Sequence, residues 1–129
     1  MGFLSSLFAP RPPPVMPVHV DARNFSREVL HSDLPVVLDV WGPGCSPCKM
    51  LEPIVMSVAA RYQGRVKVAE MNAAESGALA SQLGVMSTPT LLFFKGRREV
   101  DRVSGFVGEM YIREIVESDL LEPSGGWRR

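Results

Sequence analysis

Residues 35–41 read Pro35-Val36-Val37-Leu38-Asp39-Val40-Trp41, an almost uninterrupted apolar run. A strand with one wet face alternates apolar and polar side chains, whereas a run that is apolar throughout must be covered on both faces. This predicts a central strand in a sheet with helices above and below it, an α/β architecture. Gly42-Pro43-Gly44 ends the run, and 46–62 then carries Met50, Leu51, Ile54, Val55 and Val58 at helical spacing. A long helix with those residues on its buried side is expected there. Pro53 lies within it and is expected to kink it.

The flanking pattern extends the same plan. Val18-His19-Val20 reads as a short strand, and Asp21 is placed to cap a helix over 22–31, where Phe25 and Val29 lie four apart. Residues 65–71 alternate as a further strand, and 74–83 form a short helix stopped by Gly84. Strands at 90–94 and 99–103 flank Lys95-Gly96-Arg97-Arg98, a hairpin turn. An amphipathic helix over 108–120, carrying Met110, Tyr111, Ile115 and Val116, closes the pattern. The order β-α-β-α-β-α-β-β-α predicts parallel crossovers first and an antiparallel hairpin last, in a central mixed β-sheet flanked by helices on both faces.

The ends read differently. Five of the 11 prolines fall in the first 17 residues, so 1–17 is expected to be a flexible Pro-rich extension and 18–122 the folded domain. Phe3, Leu4, Leu7 and Phe8 make a small apolar face, too short and without the basic flank of a secretory signal. Met1-Gly2 to Ser6 matches the loose myristoylation pattern, so a weak peripheral tether through residues 1–9 is the alternative to a frayed end. Residues 123–129 read as a flexible tail. Lys and Arg, 14 together, cancel 14 Asp and Glu, and no basic stretch is interleaved with aromatics, which argues against nucleic acid as a partner. No apolar run approaches the roughly 20 residues of a membrane span.

Only two cysteines are present, too few for a disulfide-stapled scaffold, and they lie three apart in Cys45-Ser46-Pro47-Cys48. This is where the buried strand hands over to the long helix. Residues three apart on a helix share a face, so the pair can close and open with little backbone movement. Unpaired N–H groups and the dipole at a helix N-terminus favour a thiolate. Cys45 is therefore expected to be the attacking thiolate and Cys48, one turn in, the resolving thiol. Two other readings stay open: half of a zinc site, which His19 and His31 do not complete at any familiar spacing, or two inert thiols.

The segment Asp39-Val40-Trp41-Gly42-Pro43-Gly44-Cys45-Ser46-Pro47-Cys48-Lys49-Met50 resembles the active-site segment of the thioredoxin family. Pro53, the Thr88-Pro89-Thr90 loop before Leu91-Leu92-Phe93-Phe94, Lys95-Gly96 and Gly105 agree with that family in order and spacing, over about 18–120. The resemblance implies the thioredoxin fold and dithiol–disulfide exchange through a redox-active disulfide, with no cofactor and no metal. It implies Cys45 as nucleophile, Cys48 as resolving thiol and Asp39 as proton relay. A carboxylate inside a run of Val and Leu independently needs a task or a partner. Trp41, Gly44, Thr88, Pro89 and Gly105 would contact substrate; for Trp41 plain core packing is the alternative. Pro89, if cis, would present the backbone of Thr88 to an added substrate strand.

Four positions depart from the family pattern. Gly44 replaces an aromatic that usually precedes the first cysteine. Ser46, with Pro47 between the cysteines, replaces a glycine, and its hydroxyl is placed to donate to the Cys45 thiolate. Glu70 stands where a lysine is usual, either raising the Asp39 carboxyl by like charge or turning to solvent. Ala74 stands where an acid is frequent. The expectation is a cytoplasmic protein-disulfide reductase acting on protein disulfides and recharged by a thioredoxin reductase or other dithiol donor. An oxidase or isomerase, and a thioredoxin-like interaction scaffold, are the alternatives; the tyrosine that glutaredoxins carry beside the motif is missing.

Overall fold

The computed structural model describes residues 15–122. The readings of the first nine residues as a tether, of the extension up to residue 14 and of the 123–129 tail lie outside the described residues. Five strands, β1 (Val18–His19), β2 (Val36–Trp41), β3 (Lys67–Asn72), β4 (Thr90–Lys95) and β5 (Arg98–Ser104), form one sheet in the order β1-β3-β2-β4-β5. β3 runs parallel to both β1 and β2, while β4 is antiparallel to β2 and β5. The helices are α1 (Ser26–Leu30, closed by i→i+5 bonding), α2 (Ser46–Arg61), α3 (Gly77–Gln82) and α4 (Glu109–Ile115), which continues as a wider turn over Val116–Leu120.

The alternation of β2 explains the layering. Val37 faces α2 and α4 together with Val68, Leu91 and Phe93, where Leu51, Val55, Val58, Ile112 and Ile115 meet them. Val36, Leu38 and Val40 face the other way, onto Phe25 just before α1, Val29 of α1 and Ala80 of α3. Phe25 adds an edge contact to Phe94, with ring centroids 6.0 Å apart. Covering β2 on both sides is what its apolar run requires. It also sends Asp39 and Trp41, two and four residues after Val37, toward α2.

Several elements differ in detail from the sequence expectation. α1 starts at Ser26 because the residues before it form a turn: Asp21 Oδ1 accepts the Arg23 N–H at 2.9 Å, and Asn24 Oδ1 accepts the Asp21 N–H at 2.8 Å. α3 starts at Gly77, since Asn72 Oδ1 accepts the Ala74 N–H at 2.9 Å and holds that stretch in a turn. Met50 is exposed rather than buried, being about 100° around the helix from the Leu51, Val55 and Val58 stripe. Met110 and Tyr111 are exposed too; Ile112, Ile115, Val116 and Leu120 form the buried face. α2 runs through Pro53 without interruption. Val15, ahead of the residue 18 boundary expected from the sequence, packs against the α2–α4 core.

Candidate active site

Cys45 caps α2 in an extended conformation (φ −98°, ψ 105°), and its Sγ accepts the Cys48 N–H at 3.2 Å. That amide is one of the four a helix start leaves without an internal partner. Cys45 and Cys48 are joined by a disulfide with Cα atoms 5.3 Å apart, so the pair is seen in its oxidised state. Cys48 is buried, whereas Cys45 is partly exposed. The Thr88–Pro89 peptide bond is cis, and the Thr88 carbonyl oxygen lies 3.6 Å from Cys45 Sγ. A sulfur within a disulfide has no proton, so in this state the approach is a contact; a Cys45 thiol could donate there. Gly105 N–H donates to the Pro89 carbonyl at 2.8 Å and ties the β5 end to the same loop.

Beneath the disulfide lies a cleft of about 280 Å³, walled by Met16, Pro17, Trp41, Pro43, Val55 and Met56. Asp39, Cys48, Glu52 and Glu70 reach into it. Asp39 is only 7% exposed, and its Oδ1 has no hydrogen-bond partner among the described residues. Burial, followed by the charges of Glu70 and Glu52, pushes its carboxyl pKa up to about 7. Glu70 does not simply turn to solvent. Trp41 Nε1 donates to Glu70 Oε1 at 2.5 Å, and His19 Nδ1 lies 2.8 Å from Glu70 Oε2. The Trp41 indole is therefore part of the cleft wall and not only core.

The structure brings Cys45, Cys48, Thr88 and Pro89 together above the cleft and Asp39, Trp41 and Glu70 within it. Gly44 has φ +72° with open space where a side chain would stand. Ser46 and Pro47 form the first turn of α2. Sequence reasoning missed Glu52, though it lies four residues after Cys48 and so on the same helix face. Met16 and Pro17, read as part of the flexible extension, instead wall the cleft, and no signal in the sequence marks them. His19, Asp21 and Glu75 bring potential metal-ligating atoms within 4.8 Å of one another, but both His19 ring nitrogens already face carboxylates.

Comparison with known proteins matches this arrangement. The family model Thioredoxin covers residues 16–118. The chain belongs to the thioredoxin family. It is 44% identical over 97 residues to Thioredoxin 1 of Nostoc sp., an alignment covering 75% of this chain and 91% of that one. Against the thioredoxin of Synechocystis sp. identity is 42% over 101 residues, covering 78% and 94%. The chloroplastic M-type thioredoxin of Chlamydomonas reinhardtii is 36% identical over 115 residues, covering 87% and 82%. The chain is thus a thiol–disulfide oxidoreductase of the thioredoxin type, exchanging electrons with disulfide substrates and, as in the family generally, with a reductase. Among the described residues no helix is long and apolar enough to cross a membrane.

Proposed function

We propose that the protein is a cytoplasmic protein-disulfide reductase in which Cys45 attacks, Cys48 resolves and Asp39 takes the Cys48 proton. In the reduced protein the Cys45 thiolate attacks one sulfur of a substrate disulfide, forming a mixed disulfide and expelling a substrate thiolate. Cys48 passes its proton to Asp39, and the new thiolate attacks Cys45 Sγ. The second substrate thiolate leaves, the substrate has gained two electrons, and the Cys45–Cys48 disulfide described above is the product. A dithiol donor then returns the two electrons. Thr88, Pro89 and Gly105 form the backbone edge on which a substrate segment docks beside Cys45, and Trp41 and Gly44 border it.

The observation that carries the reading is the buried Asp39 carboxyl, whose Oδ1 has no partner among the described residues, in the cleft that Cys48 also lines, with its pKa near the working range. The greater exposure of Cys45 supports its role as the attacking sulfur. Cys48→Ser should trap a mixed disulfide on Cys45 with a peptide disulfide, and Cys45→Ser should trap none; the reverse pattern would exchange the roles. Asp39→Asn should slow resolution about 10²-fold and remove its rise with pH through about 7. A reduction potential near roughly −270 mV fits a reductase, whereas one toward roughly −180 to −120 mV would make the protein an oxidase or isomerase. The Ser46 hydroxyl is a second donor for the thiolate beside the Cys48 amide; Ser46→Gly should then raise the Cys45 pKa, read by thiolate absorbance.

A further inference from the structure

His19, Glu70 and Asp39 stand in one row across three strands: His19 is the register partner of Glu70 on β3, and Glu70 that of Asp39 on β2. Residues level with each other on parallel strands project to the same face, here the α2 side. The row runs from a half-exposed imidazole at the sheet edge to the buried acid under the disulfide. His19 Nδ1 lies 2.8 Å from Glu70 Oε2, and His19 Nε2 lies 3.0 Å from Glu75 Oε1. Ionised carboxylates only accept hydrogen bonds, so a ring meeting one at each nitrogen is satisfied at both only as the imidazolium.

We propose that His19 is a positioning residue for the dithiol exchange: it holds Glu70 on Trp41, offsets the charge Glu70 presents to Asp39, and so sets the pH at which Asp39 accepts the Cys48 proton. This rests on the role given to Asp39 above. The groups facing His19 are Glu70 from β3, Glu75 from the following turn and Asp21 from the turn after β1, with Arg23 paired to Asp21. Together the acids raise the His19 pKa, most of all through the Glu70 hydrogen bond. Asp39 is faced by Glu70 from β3 and by Cys48 and Glu52 from α2, with Lys49 also on the cleft wall. Below its raised pKa, His19 carries the positive charge that partly cancels Glu70. Above it, Glu70 acts on Asp39 unopposed and the Asp39 carboxyl holds its proton more tightly.

The test is a carboxyl-carbon NMR titration of Asp39 in the oxidised full chain. His19→Gln keeps a donor for Glu70 but loses the charge. It should move the Asp39 midpoint upward by about 0.5 pH, a threefold tighter hold on the proton, as expected for unit charges about 10 Å apart across two strand spacings. His19→Lys should keep the midpoint at the wild-type value, which a merely structural role for the ring would not do. In a Glu70→Gln background the ring loses the hydrogen bond that most raises its pKa and carries less charge near neutral pH, so His19→Gln should move the midpoint by less than in the wild-type background. The pH at half-maximal resolution rate should follow the same order. An Asp39 midpoint unmoved by His19→Gln overturns this inference alone, whereas an Asp39→Asn variant with the wild-type rate–pH profile overturns the role of Asp39 itself.

Discussion

Glu70 stands level with Asp39 on the neighbouring parallel strand, and both carboxylates enter the cleft that Cys48 lines from above. Two acids side by side next to the sulfur proposed to resolve the exchange is an arrangement with an electrostatic consequence. Among the described residues Asp39 Oδ1 has no hydrogen-bond partner, while Glu70 is held by Trp41 and His19. Asp39 therefore stays protonated toward neutral pH.

That state makes Asp39 a liability for stability. Its carboxyl titrates from the ordinary 3.8 when unfolded to about 7 when folded, so the folded chain binds the proton more tightly. The fold accordingly loses stability as pH rises from 3.8 toward 7 and carries the full penalty above that. A difference of this size corresponds to about 4 kcal/mol, less about 1–3 kcal/mol for an amide left unpaired in its place. Asp39→Asn should therefore stabilise the oxidised protein in guanidinium unfolding at about pH 8 by roughly 1–3 kcal/mol and not at about pH 3.5. An equal gain at both values would show that the charge is not its source.

Glu70 and Glu52 both raise the Asp39 pKa by like charge, Glu70 more strongly. Glu70→Gln and Glu52→Gln should each lower the Asp39 midpoint by some tenths of a pH to about one, with the larger change at Glu70. The rise of the resolution rate with pH should move to lower pH in the same order. A larger effect from Glu52 would reverse the electrostatic ranking of the cleft.

The sheet and the dithiol were legible in the sequence because each rests on a strong local pattern. The apolar run of β2 demands cover on both faces, and two cysteines three apart at a helix start share a face. The course of Glu70 was not legible. Its side chain is set by Trp41 and His19, which lie 29 and 51 residues away and meet it only through strand register. Met16 and Pro17 wall the cleft through tertiary packing that a proline-rich composition does not disclose. The shorter α1 and α3 reflect side-chain oxygens of Asp21, Asn24 and Asn72 that capture backbone N–H groups ahead of each helix.

Gly44, immediately before the dithiol, has φ +72° and open space around the position of a Cβ. A side chain there would meet no neighbour, so the cost of adding one is conformational alone, about 1–2 kcal/mol for a left-handed residue. Gly44→Ala should lower unfolding stability by about that amount. A neutral substitution would mean that the turn relaxes out of the left-handed region.

Gly42 is constrained by space instead. A Cβ on it would lie 3.2 Å from Thr88 Oγ1 and 3.7 Å from Thr88 Cγ2, so Thr88 would have to give way. The Thr88 carbonyl is 3.6 Å from Cys45 Sγ, so these two loops approach each other beside the disulfide. Gly42→Ala should cost about 1–3 kcal/mol of stability, as overpacking does, and slow attack on a peptide disulfide several-fold. Adding Thr88→Ala removes both crowded atoms and should restore most of each loss, since the two substitutions share one contact. If the double variant is no better than Gly42→Ala alone, glycine is needed at position 42 for its backbone and not for the room it leaves Thr88.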